Sequence, residues 1–245
     1  MLPRLRATLI TAPLIVLDTA CFGALSMLAS LVDKTGVMQH RIARVWARAM
    51  LWFSGIRVAA EGVEKLDPRA SYVLVSNHLS LTDTPVVIAH IPLQFRFFAK
   101  QGLFRIPFLG GHLRRAGHFP IVRDNPRAGL RTLGEGARLL RERGISVLVF
   151  PEGGRSDDGA LKEFHSGAAY VAIKAGVPAV PVGITGTREI LPMGSIRVLP
   201  GPARLVIGEP IPTGGLGPKD HAALTAELRR RIGLLTGQSR PVQCK

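Results

Sequence analysis

The chain predicts an α/β fold: a mostly parallel, mixed sheet flanked by helices and preceded by an N-terminal membrane-associated helical segment. Three observations carry this expectation. From Ile56 onward, short apolar runs alternate with stretches of helical periodicity, the order that builds a buried parallel sheet. A length of 245 residues with 47% hydrophobic composition is enough to close one core, and it excludes disorder. Ahead of that pattern, Ala7 to Val32 carry a single charge, Asp18, an apolar density that a water-facing helix does not tolerate.

As a helix, the Ala7 to Val32 run would be roughly 39 Å long, against a bilayer hydrocarbon core of roughly 30 Å. Pro13 and Asp18 favour a broken or shallow insertion over a clean crossing, because a carboxylate at mid-bilayer costs roughly 2.5 to 3.5 kcal/mol. The basic start at Arg4 and Arg6 and the small residues near Ala24 to Ser30 also permit a cleaved signal peptide. In the next stretch, Val37 to Gly55, the residues Ile42, Val45, Trp46, Ala49, Trp52 and Phe53 recur at helical spacing, with Arg41, Arg44 and Arg48 opposite. Such a helix suits a lipid interface or the surface of a core, and its place directly after the apolar run favours lipid. The expected division is therefore 1–55 as membrane-anchoring helices and 56–245 as the α/β domain.

Within that domain, strands are expected at Ile56 to Ala60, Tyr72 to Ser76, Phe95 to Ala99, Ser146 to Phe150, Ala179 to Ile184, Ser195 to Leu199 and Ala203 to Ile207. Helices are expected near Asp83 to His90, Arg127 to Arg143, Ser166 to Ala175 and Lys219 to Leu235. The last two strands read as a hairpin, which would make the sheet mixed. Ligands of such sheets sit beyond the carboxyl ends of the strands, and the chemistry-bearing segments fall there.

Thirty-two Lys and Arg against 17 Asp and Glu give a net charge of +15 and favour anionic partners. Two cysteines, Cys21 and Cys244, exclude a disulfide scaffold and a cysteine-based zinc cluster. A nucleic-acid binder would share the charge, but the phenylalanines interleaved with the cations between Phe95 and Arg131 fall in strand-like or Pro- and Gly-bounded runs. No nucleic acid is expected as a partner.

Two segments carry candidate chemistry. In YVLVSNHLSLTDTPVV, a buried strand ends at Asn77 and His78, and a helix begins near Thr82. On one continuous helix His78 and Asp83 would sit about 140° apart, but across a strand-to-helix corner the carboxylate can fold back onto the imidazole. A histidine oriented in this way is a general base; a strand-end His beside a helix-capping Asp is the bland alternative. No GxSxG elbow occurs, so a covalent acyl-enzyme is not suggested. In VLVFPEGGRSDDG, a strand opens into a loop holding Glu152, Gly153, Gly154 and Arg155. Paired glycines let backbone N–H groups approach an anion and Arg offers a fork for phosphate, although an ordinary turn with a surface ion pair fits the same residues. The segment is not a P-loop, so ATP is not implied.

Four blocks in order resemble one family. Asn77-His78-Leu79-Ser80-Leu81-Thr82-Asp83 is similar to the NHxxxxD motif of the glycerolipid acyltransferases, and Phe150 to Ser156 to their FPEGTRS motif. Gly117 to Arg123 resembles the intermediate block ending in Arg, and Val177 to Gly183 the Pro-containing fourth block. The resemblance implies transfer of a fatty acyl group from acyl-CoA or acyl carrier protein to the free hydroxyl of a 1-acyl-sn-glycerol 3-phosphate, with no metal or prosthetic group. It also implies that His78 is the base and Asp83 its orienter, with Asn77, Lys100, Arg123, Glu152, Gly153, Gly154 and Arg155 around the substrates. The expected partners are a lysophospholipid acceptor, an acyl donor and a membrane surface, at the cytoplasmic face of the inner membrane. Gly154 stands where the family usually has Thr, and Gln101 where Glu is common. Both departures bear on the acceptor, which leaves a lyso-ornithine lipid, glycerol 3-phosphate or another lysophospholipid as alternatives.

Overall fold

The computed structural model describes residues 5–106, 109–121 and 126–238. Among these, one sheet contains β1 (Ile56–Glu61), β2 (Val73–Ser76), β3 (Phe95–Lys100), β4 (Phe119–Ile121), β5 (Ser146–Val149), β6 (Ala179–Thr185) and β7 (Gly201–Ile207), in the order β1-β7-β6-β2-β5-β3-β4. The five strands from β6 to β4 are mutually parallel, whereas β7 runs antiparallel to β6 and carries β1 parallel to itself. The helices are α1 (Ala12–Val32), entered through a π turn at Ala7–Thr11, then α2 (Val37–Ser54), α3 (Asp83–His90), α4 (Leu109–Arg115), α5 (Pro126–Arg143), α6 (Gly167–Ala175), α7 (Thr187–Ile190) and α8 (His221–Leu235).

The central strands read as continuous apolar runs because both their faces are covered. Leu74 and Leu148 pack under α2 and α3 with Leu51, Val86 and Val87. On the other face, Val73, Val75, Val147 and Val149 meet Leu140 of α5, Val171 of α6 and Leu228 of α8. The chain leaves β2 through α3 toward β3 and leaves β5 through α6 toward β6, on opposite faces and in opposite directions. The adjacent pair β2 and β5 is thus a switch point, and the crevice beyond their carboxyl ends is the position such sheets give to ligands.

The sheet is mixed as expected, but not through a hairpin. Residues 195–199 form no strand, and β1 occupies the side of β7 that a hairpin partner would have taken. Pro200 and Pro202 each lack a ladder donor, which helps keep the preceding segment irregular.

At the expected division at Gly55, α2 packs against the strands that follow it. Ala47 and Leu51 of α2 belong to the same core as the strands, and the Arg44 guanidinium, expected on a polar face with Arg41 and Arg48, donates to the carbonyls of Ile88 (3.3 Å), Ile91 (2.9 Å) and Leu93 (3.0 Å). On β3, the fully buried Arg96 donates to the carbonyl of Thr35 at 3.0 Å, fastening the turn between α1 and α2 to the sheet. α2 is therefore a core helix. α1 differs: of its residues only Ser26 and Ala29 are buried, and its leucines and valines are largely exposed. It touches α2 where Trp46 Nε1 donates to Thr19 Oγ1 (3.2 Å), and α4 where Ser26 Oγ meets His112 Nδ1 (2.6 Å).

Candidate active site

His78 follows β2 directly, and its position is fixed from three sides. Its backbone N–H donates to Glu152 Oε1 at 2.7 Å, its carbonyl accepts the Ser156 N–H at 2.9 Å, and its ring stacks on Phe150 with centroids 4.1 Å apart and planes 19° from parallel. Both Phe150 and Glu152 come from the segment after β5, so the β2–β5 pairing itself brings the two motifs together. Asn77 is fully buried, with its amide accepting from the Ile184 N–H and donating to the Ile184 carbonyl, both at 2.8 Å. It extends the β2–β6 connection past the last ladder pair and sets where β2 ends.

The chain then turns and Asp83 opens α3. Its Oδ2 accepts the N–H groups of Leu79 (2.7 Å) and Ser80 (2.8 Å) and meets His78 Nδ1 at 2.8 Å. The carboxylate is completely buried and lies at a helix N-terminus, where its charge is favoured, while the His78 side chain keeps 18% of its surface open. Because Oδ2 is an acceptor in all three contacts, the hydrogen-bond network assigns a ring proton to Nδ1 and turns Nε2 away from the carboxylate. The other oxygen, Oδ1, has no hydrogen-bond partner among the described residues. The Ser80 hydroxyl donates to the Leu191 carbonyl at 2.8 Å and is reached by Thr82 Oγ1 at 3.0 Å, which ties the turn to the segment after α7.

Glu152 is a buried clamp rather than a free carboxylate. Its Oε2 accepts the Lys162 N–H at 3.0 Å, and burial holds its carboxyl above the usual value although the two N–H donors pull the other way. Gly153 has φ 68°, a left-handed conformation that favours glycine, and a Cβ there would press on the His165 ring at 3.1 Å. Gly154 and Arg155 continue the loop, half-exposed; the Arg155 carbonyl accepts from Lys162 Nζ at 2.6 Å, and its guanidinium has no partner among the described residues. Lys100 ends β3, exposed at the same edge, two strands or about 10 Å sideways from β2. Arg123 lies outside the described residues.

The structure therefore brings His78, Asp83, Glu152 and Gly153 into one cluster, with Gly154, Arg155 and Lys100 on the same edge. Phe150, Ser80 and Leu191 were not singled out from the sequence as parts of this site. Phe150 carried a legible signal, since it is the last residue of an apolar strand run directly before Pro151; the Leu191 carbonyl carried none.

Residues 57–185 match the acyltransferase family. Over 176 residues, 70% of this chain, the sequence is 39% identical to the chloroplastic 1-acyl-sn-glycerol-3-phosphate acyltransferase of Arabidopsis thaliana, covering 48% of that protein. It is 30% identical over 196 residues to human 1-acyl-sn-glycerol-3-phosphate acyltransferase alpha, covering 80% of this chain and 69% of that one. The chain spans about half the length of the plant relatives it matches. The fold is similar to the crystal structure of the 1-acyl-sn-glycerophosphate acyltransferase of Thermotoga maritima, with a TM-score of 0.78, 25% identity and 99% coverage of both chains. A strand-end histidine bound to the first carboxylate of the next helix, on a sheet with these relatives, places the chain in the acyltransferase family.

Proposed function

We propose that the chain acylates the free hydroxyl of a 1-acyl-sn-glycerol 3-phosphate, using an acyl thioester and yielding phosphatidic acid. One observation carries the reading: a buried carboxylate holds the Nδ1 side of His78 at 2.8 Å, at the switch point of the sheet and beside a glycine-bearing loop. His78 Nε2 takes the proton of the acceptor hydroxyl as its oxygen attacks the thioester carbonyl. The tetrahedral oxyanion then collapses, the C–S bond breaks, and the imidazolium returns its proton to the thiolate. Asp83 keeps the ring in the receiving tautomer and stabilises the imidazolium as it forms. General-base assistance of this kind is worth roughly 10² to 10⁴ in rate.

Lys100, Arg155 and Arg123 supply charge for the acceptor phosphate, and Gly153 and Gly154 let backbone N–H groups approach it. Glu152 acts through the His78 backbone and is a positioning residue. The acceptor is a membrane lipid, and the exposed apolar length of α1 gives the chain a place in that membrane, at its cytoplasmic face. Donors fitting the basic chain are acyl-CoA and an acidic acyl carrier protein. The test is the purified chain with a matrix of labelled acyl-CoA and acyl carrier protein donors against lysophosphatidate, glycerol 3-phosphate and lyso-ornithine lipid, read by product mass. Phosphatidate from lysophosphatidate as the dominant product supports the reading; acylation of the phosphate-free lipid at an equal rate contradicts it.

A further inference from the structure

The carboxyl edge of the sheet carries a second set of exposed apolar side chains, separate in sequence from α1. Residues 191–200 connect α7 to β7, and because β7 runs antiparallel to β6, this connection lies on the edge that holds His78. It is pinned at both ends. The Leu191 carbonyl accepts the Ser80 hydroxyl, and just past the other end the Gly201 N–H donates to the Gly55 carbonyl at 3.3 Å, at the foot of α2.

Between the pins the segment is held without helix or strand. The Ser195 N–H donates to the Pro192 carbonyl (3.1 Å), the Arg197 N–H to Ser195 Oγ (3.0 Å) and the Leu199 N–H to the Ile190 carbonyl (2.8 Å), while Val198 is buried beneath. A segment so restrained can tuck its apolar side chains inward, as it does with Val198. Ile196 is nevertheless 85% exposed; Leu81, in the turn between His78 and Asp83, is 58% exposed, and Trp52, one turn before Gly55, is 83% exposed. Arg197 in the same segment and Arg57 near the start of β1 are exposed, and Glu189 is the exposed acid of the adjoining helix.

Single exposed apolar residues are ordinary; a cluster with a cationic collar at the mouth of a site has the make-up of an interfacial anchor. It also continues the apolar surface of α1. Arg6 donates to the Phe53 carbonyl at 3.4 Å, so the exposed Leu9 and Ile10 start beside the same end of α2 that carries Trp52. We propose that residues 191–200, together with Leu81 and Trp52, form a second membrane contact that docks the catalytic edge on an anionic bilayer surface. This rests on the membrane-embedded acceptor proposed above. One tether through α1 leaves the domain free to swing; a second contact at the site itself sets the depth of His78 at the headgroups.

The experiment uses the full chain with Cys21→Ser and Cys244→Ser, and an environment-sensitive fluorophore on Ile196→Cys or, at the opposite edge, on Arg141→Cys. Phosphatidylcholine–phosphatidylglycerol vesicles with brominated acyl chains should quench the label at 196 about twofold or more and leave that at 141 unchanged. Without labels, Ile196→Glu together with Met193→Glu, at the exposed methionine of the same segment, should slow transfer to a vesicle-held long-chain acceptor about tenfold, and transfer to a short-chain soluble acceptor less than about twofold. An unquenched label at 196 on chains that still sediment with vesicles overturns the second contact and leaves α1 as anchor. Shielding by acyl carrier protein instead of vesicles, or an equal loss on both acceptors, also overturns it. Failure of the chain to sediment at all overturns membrane docking entirely. Quenching at 196 in a chain that transfers no acyl group upholds the contact while removing the proposed reaction.

Discussion

The corner after β2 and the helix α1 are both announced by short sequence signals, yet they are held by opposite means. At the corner, a carboxylate with no exposure accepts from two backbone N–H groups and a ring, and the neighbouring turn is tied through Ser80 to the segment after α7. Hydrogen bonds in so dry a place are strong when complete and costly when one partner is lost. α1 has few such contacts and an apolar surface facing outward. The corner is therefore closed by its own hydrogen bonds, whereas α1 leaves most of its apolar surface uncovered by the chain.

Removing the hub of the corner should have the largest effect. Asp83→Ala strands the Leu79 and Ser80 N–H groups and frees the His78 ring; acyl transfer should fall about hundredfold or more, with a lower unfolding midpoint. Next comes the truncation that separates the two regions. Deleting residues 5–32 should weaken sedimentation with vesicles severalfold and leave a cooperatively folding domain, whereas deletion through Gly55 should unfold it, because α2 contributes Ala47, Met50 and Leu51 to the core. Circular dichroism melts of the two truncations distinguish these outcomes.

Glu152→Gln is smaller in scale. Its amide can accept only one of the two N–H groups that the carboxylate now accepts, so denaturant titration should show a loss of about 1 to 3 kcal/mol. A still finer test lies where α1, α4 and the sheet meet. Burial holds His40 down to about 3 and keeps His112 and His118 below the usual imidazole range, and neighbouring cations add to the effect. Depressed folded values mean that stability is fully present above about pH 6.5 and is lost as pH falls from there toward the folded values, by up to about 1.4 kcal/mol per pH unit per histidine. His118→Asn keeps an acceptor for the Phe97 N–H, now 2.9 Å from His118 Nδ1, and should flatten the fall in denaturation midpoint between about pH 6.5 and pH 5.

Legibility in the sequence followed how local the cause was. The central strands and α3, α5, α6 and α8 stand close to where apolar periodicity puts them, because their burial is set by their own pattern. α2 was misassigned because it has two stripes. The one with Val45 and Trp52 is partly exposed; the buried one, through Gln39, His40, Ala47, Met50, Leu51 and Ser54, mixes polar and apolar residues. Hydropathy ranks these stripes in the wrong order, and packing decides. The hairpin expected near 195–207 failed for a non-local reason, since β1 arrives from far earlier in the chain to flank β7. At the site, the spacing of His78 and Asp83 was readable, while the Phe150 stack and the Glu152 clamp depend on β2 and β5 being neighbours, which no local pattern states.

The most direct test of the central claim is the rate of lysophosphatidate acylation by purified His78→Ala, with folding checked by its thermal transition. A loss of about hundredfold or more in a chain that melts like the parent is the expected result. A rate within about tenfold of the parent contradicts the assignment of His78 as the base.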